Sequence, residues 1–244
     1  MLSRTVLSEG LDSLAEDDPV AMRSRRDLRR VHRAMGTRSI LLRAMRKMSA
    51  TRSAHAPLRM LELGAGDGSL MLGVAGALSK EWPRVELTLL DRQGLIDHRT
   101  LDAYARLGWT AVPAVADVSE WAGATTDPLR RGGAGWDWVL ANLFLHHFDA
   151  VQLGVLVRAI SGRTDRFLAC EPRRDRFALA GSHLVGAIGA NAVTRQDAVL
   201  SVHAGFTGQE LTALWPSDDP RWQLHEHPAG LFSHCFRAVR SGVN

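Results

Sequence analysis

From residue 57 onward the chain alternates short apolar runs with stretches of helical spacing, and that rhythm restricts it to a parallel sheet with helices on both faces. The runs fall at 58–63, 85–91, 110–115, 136–145 (entering a turn) and 166–171. Helical spacing occupies 69–80, 97–107 and 150–161. Runs such as LRMLEL and VELTLLD are apolar almost throughout, as strands covered on both faces must be. A glycine-rich loop holding Gly132, Gly133 and Gly135 precedes the fourth run. Beyond it the pattern changes. Helices are predicted over 177–188, 194–203 and 208–214, the last ended near Pro216. WQLHEH and FSHCFRAV, separated by Pro228-Ala229-Gly230, then read as an antiparallel hairpin.

Residues 1 to about 56 read as helical and amphipathic. Leu28, Val31 and Met35, then Ile40, Leu41, Ala44, Met45 and Met48, recur at three- and four-residue steps with arginines between them. Gly36 breaks the stretch into two helices, and 53–57 reads as a loop. The expected division is a helical lid over 1–56 and a main domain over 57–244. A length of 244 residues suits one α/β domain with such an addition.

Two cysteines, Cys170 and Cys235, are too few for a disulfide framework and fit a reducing cytoplasm. No apolar run approaches the ~20 residues of a membrane span. The acidic N-terminus lacks the pattern of a signal peptide. The net charge of +4 is concentrated in arginines between 23 and 52. Such a segment suits either a nucleic-acid grip or a solvated helix face. Residues 1–56 contain no aromatic side chain on which bases could stack, which favours the helix face and a small-molecule partner. The state of association is left open between monomer and homodimer.

The string LELGAGDGSL (61–70) joins a strand to a helix. Gly64, Gly66 and Gly68 admit positive φ and close approach of a ligand to the backbone, with Ala65 among them, and the helix start presents free N–H groups. Glu62 stands just ahead of the glycines, where a carboxylate would repel a pyrophosphate and attract an ammonium. Asp91 ends the second strand, followed by Arg92, and can accept from ribose hydroxyls. Asp117 and Val118 follow the third strand and offer an acceptor and an N–H to an adenine. A plain tight turn explains the glycines but not acids at three successive strand ends.

With these motifs and NLFLHHF (142–148), the sequence resembles the class I S-adenosylmethionine (SAM) dependent methyltransferases over roughly 58–171. The resemblance implies a doubly wound, Rossmann-like, seven-stranded, mostly parallel sheet with the last hairpin inserted beside the fifth strand. It implies SAM over the ends of strands one, two and four, with Asn142 and Leu143 contributing. The Met35-Gly36 turn of the lid would then touch it. It also implies a substrate-facing turn after the fourth strand, where His146 or His147 can act as general base. Arg173, His183 and Arg195 are candidate substrate contacts, with Asn191 and His203 nearby. No metal site is expected, because clustered acids after the fourth strand are missing. The overall pattern is similar to bacterial natural-product enzymes that methylate small molecules, with a phenolic or enolic oxygen as the expected acceptor. Carbon methylation and RNA methylation are the alternatives.

Overall fold

The computed structural model describes residues 2–49, 57–82, 84–129 and 135–242. The 53–56 part of the expected loop, and Gly132 and Gly133, lie outside them. Seven strands form one sheet: β1 (Leu58–Leu63), β2 (Val85–Asp91), β3 (Trp109–Val115), β4 (Trp138–Asn142), β5 (Arg166–Pro172), β6 (Trp222–Ala229) and β7 (Ser233–Arg240). Their order is β3-β2-β1-β4-β5-β7-β6. The first five are parallel, and β7 runs antiparallel to both β5 and β6. The expected hairpin is therefore present and inserts beside β5. Order reverses between β1 and β4, which opens a crevice at their carboxyl ends.

Nine α-helices accompany the strands among the described residues: α1 (Pro19–Met35), α2 (Thr37–Met48), α3 (Ser69–Leu78), α4 (His98–Arg106), α5 (Val118–Gly123), α6 (Ala150–Arg163), α7 (Arg176–His183), α8 (Ala192–Ala204) and α9 (Glu210–Leu214). Their starts are chemically marked. Asp18, Asp97, Asp117, Asp149, Asp175 and Asn191 each accept a backbone N–H of the helix they precede. The expected helix over 177–188 divides into α7 and a 3-10 turn, Val185–Ile188. The six-residue α5 was not expected; it is too short to show a period.

Alternation along each strand sorts side chains into two cores. Met60, Leu87, Leu89, Trp138, Leu140, Leu168 and Cys170 face one side. Leu61, Leu63, Leu90, Val139, Ala141, Phe167 and Ala169 face the other. The first side is covered by α3 and by α2, whose Ile40, Leu41, Ala44, Met45 and Met48 belong to the same core. Gly36, at φ 68°, makes the left-handed joint between α1 and α2.

The N-terminal segment departs from the expected helix. Before α1 the chain carries no regular element except one 3-10 turn, Leu11–Ser13. It is strapped onto the end of α8 and the turn after β4. Thr5 N–H donates to the His203 carbonyl (3.1 Å). Arg4 donates to the carbonyls of Ala204 (2.9 Å) and Phe148 (2.8 Å). Gly10 and Leu11 N–H groups donate to the Asp197 carboxylate. These partners lie 144 to 200 residues away, so no local pattern announces them.

Candidate active site

The turn after β1 is built by three glycines in the left-handed region, Gly64, Gly66 and Gly68 at φ 68°, 56° and 71°. Gly64 and Ala65 donate to the Leu90 carbonyl, and Gly66 donates to Asp91 Oδ2 at 2.8 Å. Gly68 caps the close approach to α4, where Tyr104 donates its hydroxyl to the Gly68 carbonyl. A Cβ on Gly64 would lie 2.2 Å from the Phe144 ring. This position therefore has no room for a side chain.

Glu62 sits beneath the turn, 4% exposed, with Oε2 unpartnered. Burial, reinforced by Asp91 and Asp67, pushes its carboxyl up to about 8. Asn142 at the end of β4 likewise has a buried Oδ1 without a partner. Both line a cleft with Gly64, Ala65, Gly66 and Leu143. An adjoining cleft of about 630 Å³ is lined by Asp91, Arg92, Asp117 and Val118. Asp117 spends Oδ1 on the α5 N-terminus, and Arg92 pairs with Asp12 of the N-terminal strap (3.0 Å). Leu143, at φ 48°, is the one non-glycine residue with positive φ among the described residues.

The turn after β4 is organised by Glu171. This fully buried carboxylate accepts N–H groups of Phe144, Leu145 and His146, and its Oε2 lies 2.9 Å from His146 Nδ1. His146 Nε2 lies 3.3 Å from Glu9 Oε1. Burial acts to lower the His146 pKa, but the hydrogen bonds to Glu171 and Glu9 outweigh it and raise it to about 9. His146 is thus an imidazolium between two carboxylates. His147 is partly exposed to both clefts, with Nδ1 3.3 Å from Asp12 Oδ2. No metal ligands were expected, yet Glu9, His146 and His147 bring donor atoms within 4.8 Å of one another.

A third, apolar cavity of about 270 Å³ lies between α1, α7 and α8. Glu9, Leu11, Leu28 and Leu143 line all three spaces, so they mark the junction. Met35 lines the apolar cavity rather than the glycine cleft. Arg173, His183 and Arg195 line none of the three. Arg173 pairs with Asp175 (2.6 Å), and Arg195 packs over Gly186. Asn191 caps α8 and bonds Ser24 of α1.

Sequence reasoning missed Glu9, Asp12, Asp197 and Ser201. Glu9 and Asp12 were visible only as N-terminal acids, and nothing local tied them to the histidines.

The fold matches solved structures. The chain superposes on the plantazolicin methyltransferase BpumL in complex with SAH at a TM-score of 0.60, with 13% identity over 92% of this chain and 91% of that one. The pyocyanin biosynthetic protein PhzM gives 0.56 and 16% identity, covering 93% of this chain and 60% of that one. The Synechocystis magnesium protoporphyrin IX methyltransferase with bound SAH gives 0.51 and 12%, covering 95% and 91%. This chain has the class I methyltransferase fold. No family model and no curated protein matches its sequence. Within that methyltransferase fold, the glycine turn, Glu62, Asp91 and Asp117 gather at the carboxyl ends of β1, β2 and β3, on one side of the switch point.

Proposed function

We propose that the protein is a SAM-dependent methyltransferase acting on a small molecule, at a phenolic or enolic oxygen. The observation that carries this reading is the pair of unpartnered buried oxygens on Glu62 and Asn142, two residues that line the cleft of the glycine turn. An orphaned buried carboxylate calls for a cation or a proton. The amino acid end of SAM offers an ammonium, whereas a dinucleotide would bring a pyrophosphate against Glu62.

In this reading Glu62 and Asn142 hold the amino acid end, and Gly64 to Gly68 give it backbone room. Asp91 takes the ribose, and Asp117 with Val118 the adenine. SAM supplies an electrophilic methyl group on sulfur. The protein's own work is to hold the acceptor in line with that methyl, exclude water and accept a proton. His146 is occupied at both ring nitrogens by carboxylates, so it orients the turn. His147, held through Nδ1 by Asp12, is the group placed to take the acceptor's proton. The strap and α1 close the junction over it, and the apolar cavity takes the acceptor. Several arginines of the basic segment are paired internally, Arg29 with Asp67, Arg30 with Asp27 and Arg46 with Glu81, which supports a solvated helical cover over a nucleic-acid grip.

Calorimetric titration of ligand-stripped protein with SAM and, separately, NADH tests the cofactor. Micromolar binding of SAM alone is expected; no SAM binding sinks the reading. His147→Ala is then expected to lower kcat on a phenolic acceptor by 10²-fold or more with SAM affinity kept, a size typical of losing a general base.

A further inference from the structure

The apolar cavity has a chemical character that its shape alone does not convey. Leu28, Val31 and Met35 of α1, Ala178 of α7, Val202 of α8 and Phe232 are among its apolar lining. Its charged lining groups among the described residues are two acids, Glu9 and Asp197, with no lysine, arginine or histidine in the lining itself. Both acids are fixed. Glu9 accepts from Ser201 and His146, and Asp197 from two backbone N–H groups. The His146 imidazolium is 3% exposed and faces the glycine cleft instead, behind Glu9. One further polar group stands out. Thr194 is among the lining residues, 3% exposed, and its Oγ1 is buried without a partner.

We propose that this cavity selects an acceptor without negative charge, with Glu9 and Asp197 rejecting anions and Thr194 bonding a neutral hydroxyl or carbonyl of the bound molecule. The site rests on the methyltransferase reading for its role, but not for its chemistry. An anion entering here would shed its water and meet two carboxylates with no cation to pair with. A neutral aromatic or aliphatic body loses nothing comparable and buries its surface against leucine, valine and phenylalanine. The orphaned Thr194 hydroxyl leaves one polar demand, which an uncharged donor or acceptor meets. Selection is then by rejection of the wrong charge as much as by fit to the right shape.

Two fluorescent probes separate the terms. N-phenyl-1-naphthylamine and 1-anilinonaphthalene-8-sulfonate share an aromatic skeleton and differ by one sulfonate. On the protein of 244 residues, the neutral probe is expected to bind at least roughly tenfold tighter, equivalent to about 1.4 kcal/mol. Ala198→Trp, or Val31→Trp if the first fails to fold, should fill the cavity and abolish that binding while SAM titration is unchanged. The double variant Glu9→Gln, Asp197→Asn should close most of the gap by strengthening sulfonate binding. Equal affinity of the two probes at a site that the tryptophan blocks overturns the proposal. So does absent neutral-probe binding, or binding that the tryptophan leaves intact. A SAM titration that fails in the same protein counts against the methyltransferase reading alone.

Discussion

A buried carboxylate with no partner is tolerated only by holding its proton, and Glu62 does so. Its folded pKa of about 8 lies above the ordinary 4.5. The folded state therefore binds the extra proton between those values, and stability falls as pH rises through that window. Glu62→Gln removes the titration. Its melting temperature is expected to vary less than the wild type's between pH 5 and 8, and its SAM affinity to drop by about tenfold or more, the size of a lost charged contact. An unaltered melting profile would falsify the buried, protonated state. In the wild type, SAM should bind more tightly as pH approaches 8, because an ammonium favours the ionised carboxylate. His146 shows linkage of the same sign at higher pH. Its pKa is raised to about 9, so its stabilisation is complete below about 6.5 and disappears as pH rises through 9. Glu9→Gln removes one of the two carboxylates. NMR titration should then show the His146 midpoint falling toward neutrality; an unmoved midpoint means that Glu171 alone sets it.

At the level of elements, the glycine turn and α2 make different demands. Gly64 lies at φ 68° with the Phe144 ring where a Cβ would go. Gly64→Ala adds left-handed strain of about 1–2 kcal/mol and displaces Phe144 from the turn. SAM affinity should fall with the protein still folded, as read by calorimetry beside circular dichroism. α2 is bonded into the main core by Leu41 and Met45, which are 1% and 0% exposed. Met45→Ala is expected to cost about 2–5 kcal/mol in urea denaturation, as a buried methionine does. A loss below 1 kcal/mol would mean that α2 rides on the surface as a detachable cover. The central strands β1, β4 and β5 were legible because burial on both faces leaves near-continuous apolar runs. α5 was not, because six residues hold too little period, and its cap Asp117 was assigned to a ligand alone.

For the molecule as a whole, stability and binding are linked. SAM at 100 times its dissociation constant should stabilise the fold by about 2.7 kcal/mol, visible as an upward melting shift that NADH does not produce. The N-terminal strap extends this coupling, since Arg4, Glu9 and Asp12 bond to the turn after β4 and to Arg92 after β2.

The sequence by itself determined the α/β alternation, the glycine turn, the acids at three strand ends and the closing hairpin. Each is encoded within a dozen residues, by apolar period, backbone freedom or a charge at a strand terminus. Tertiary structure alone decided that Glu171 cradles the β4 turn, that Glu9 and Asp12 reach the two histidines, and that Arg173, His183 and Arg195 stand apart from the cavities. Those relations join residues 25 to 137 positions apart. Chain entropy leaves no local trace of such pairings, and they exist only once the sheet has brought its strand ends together.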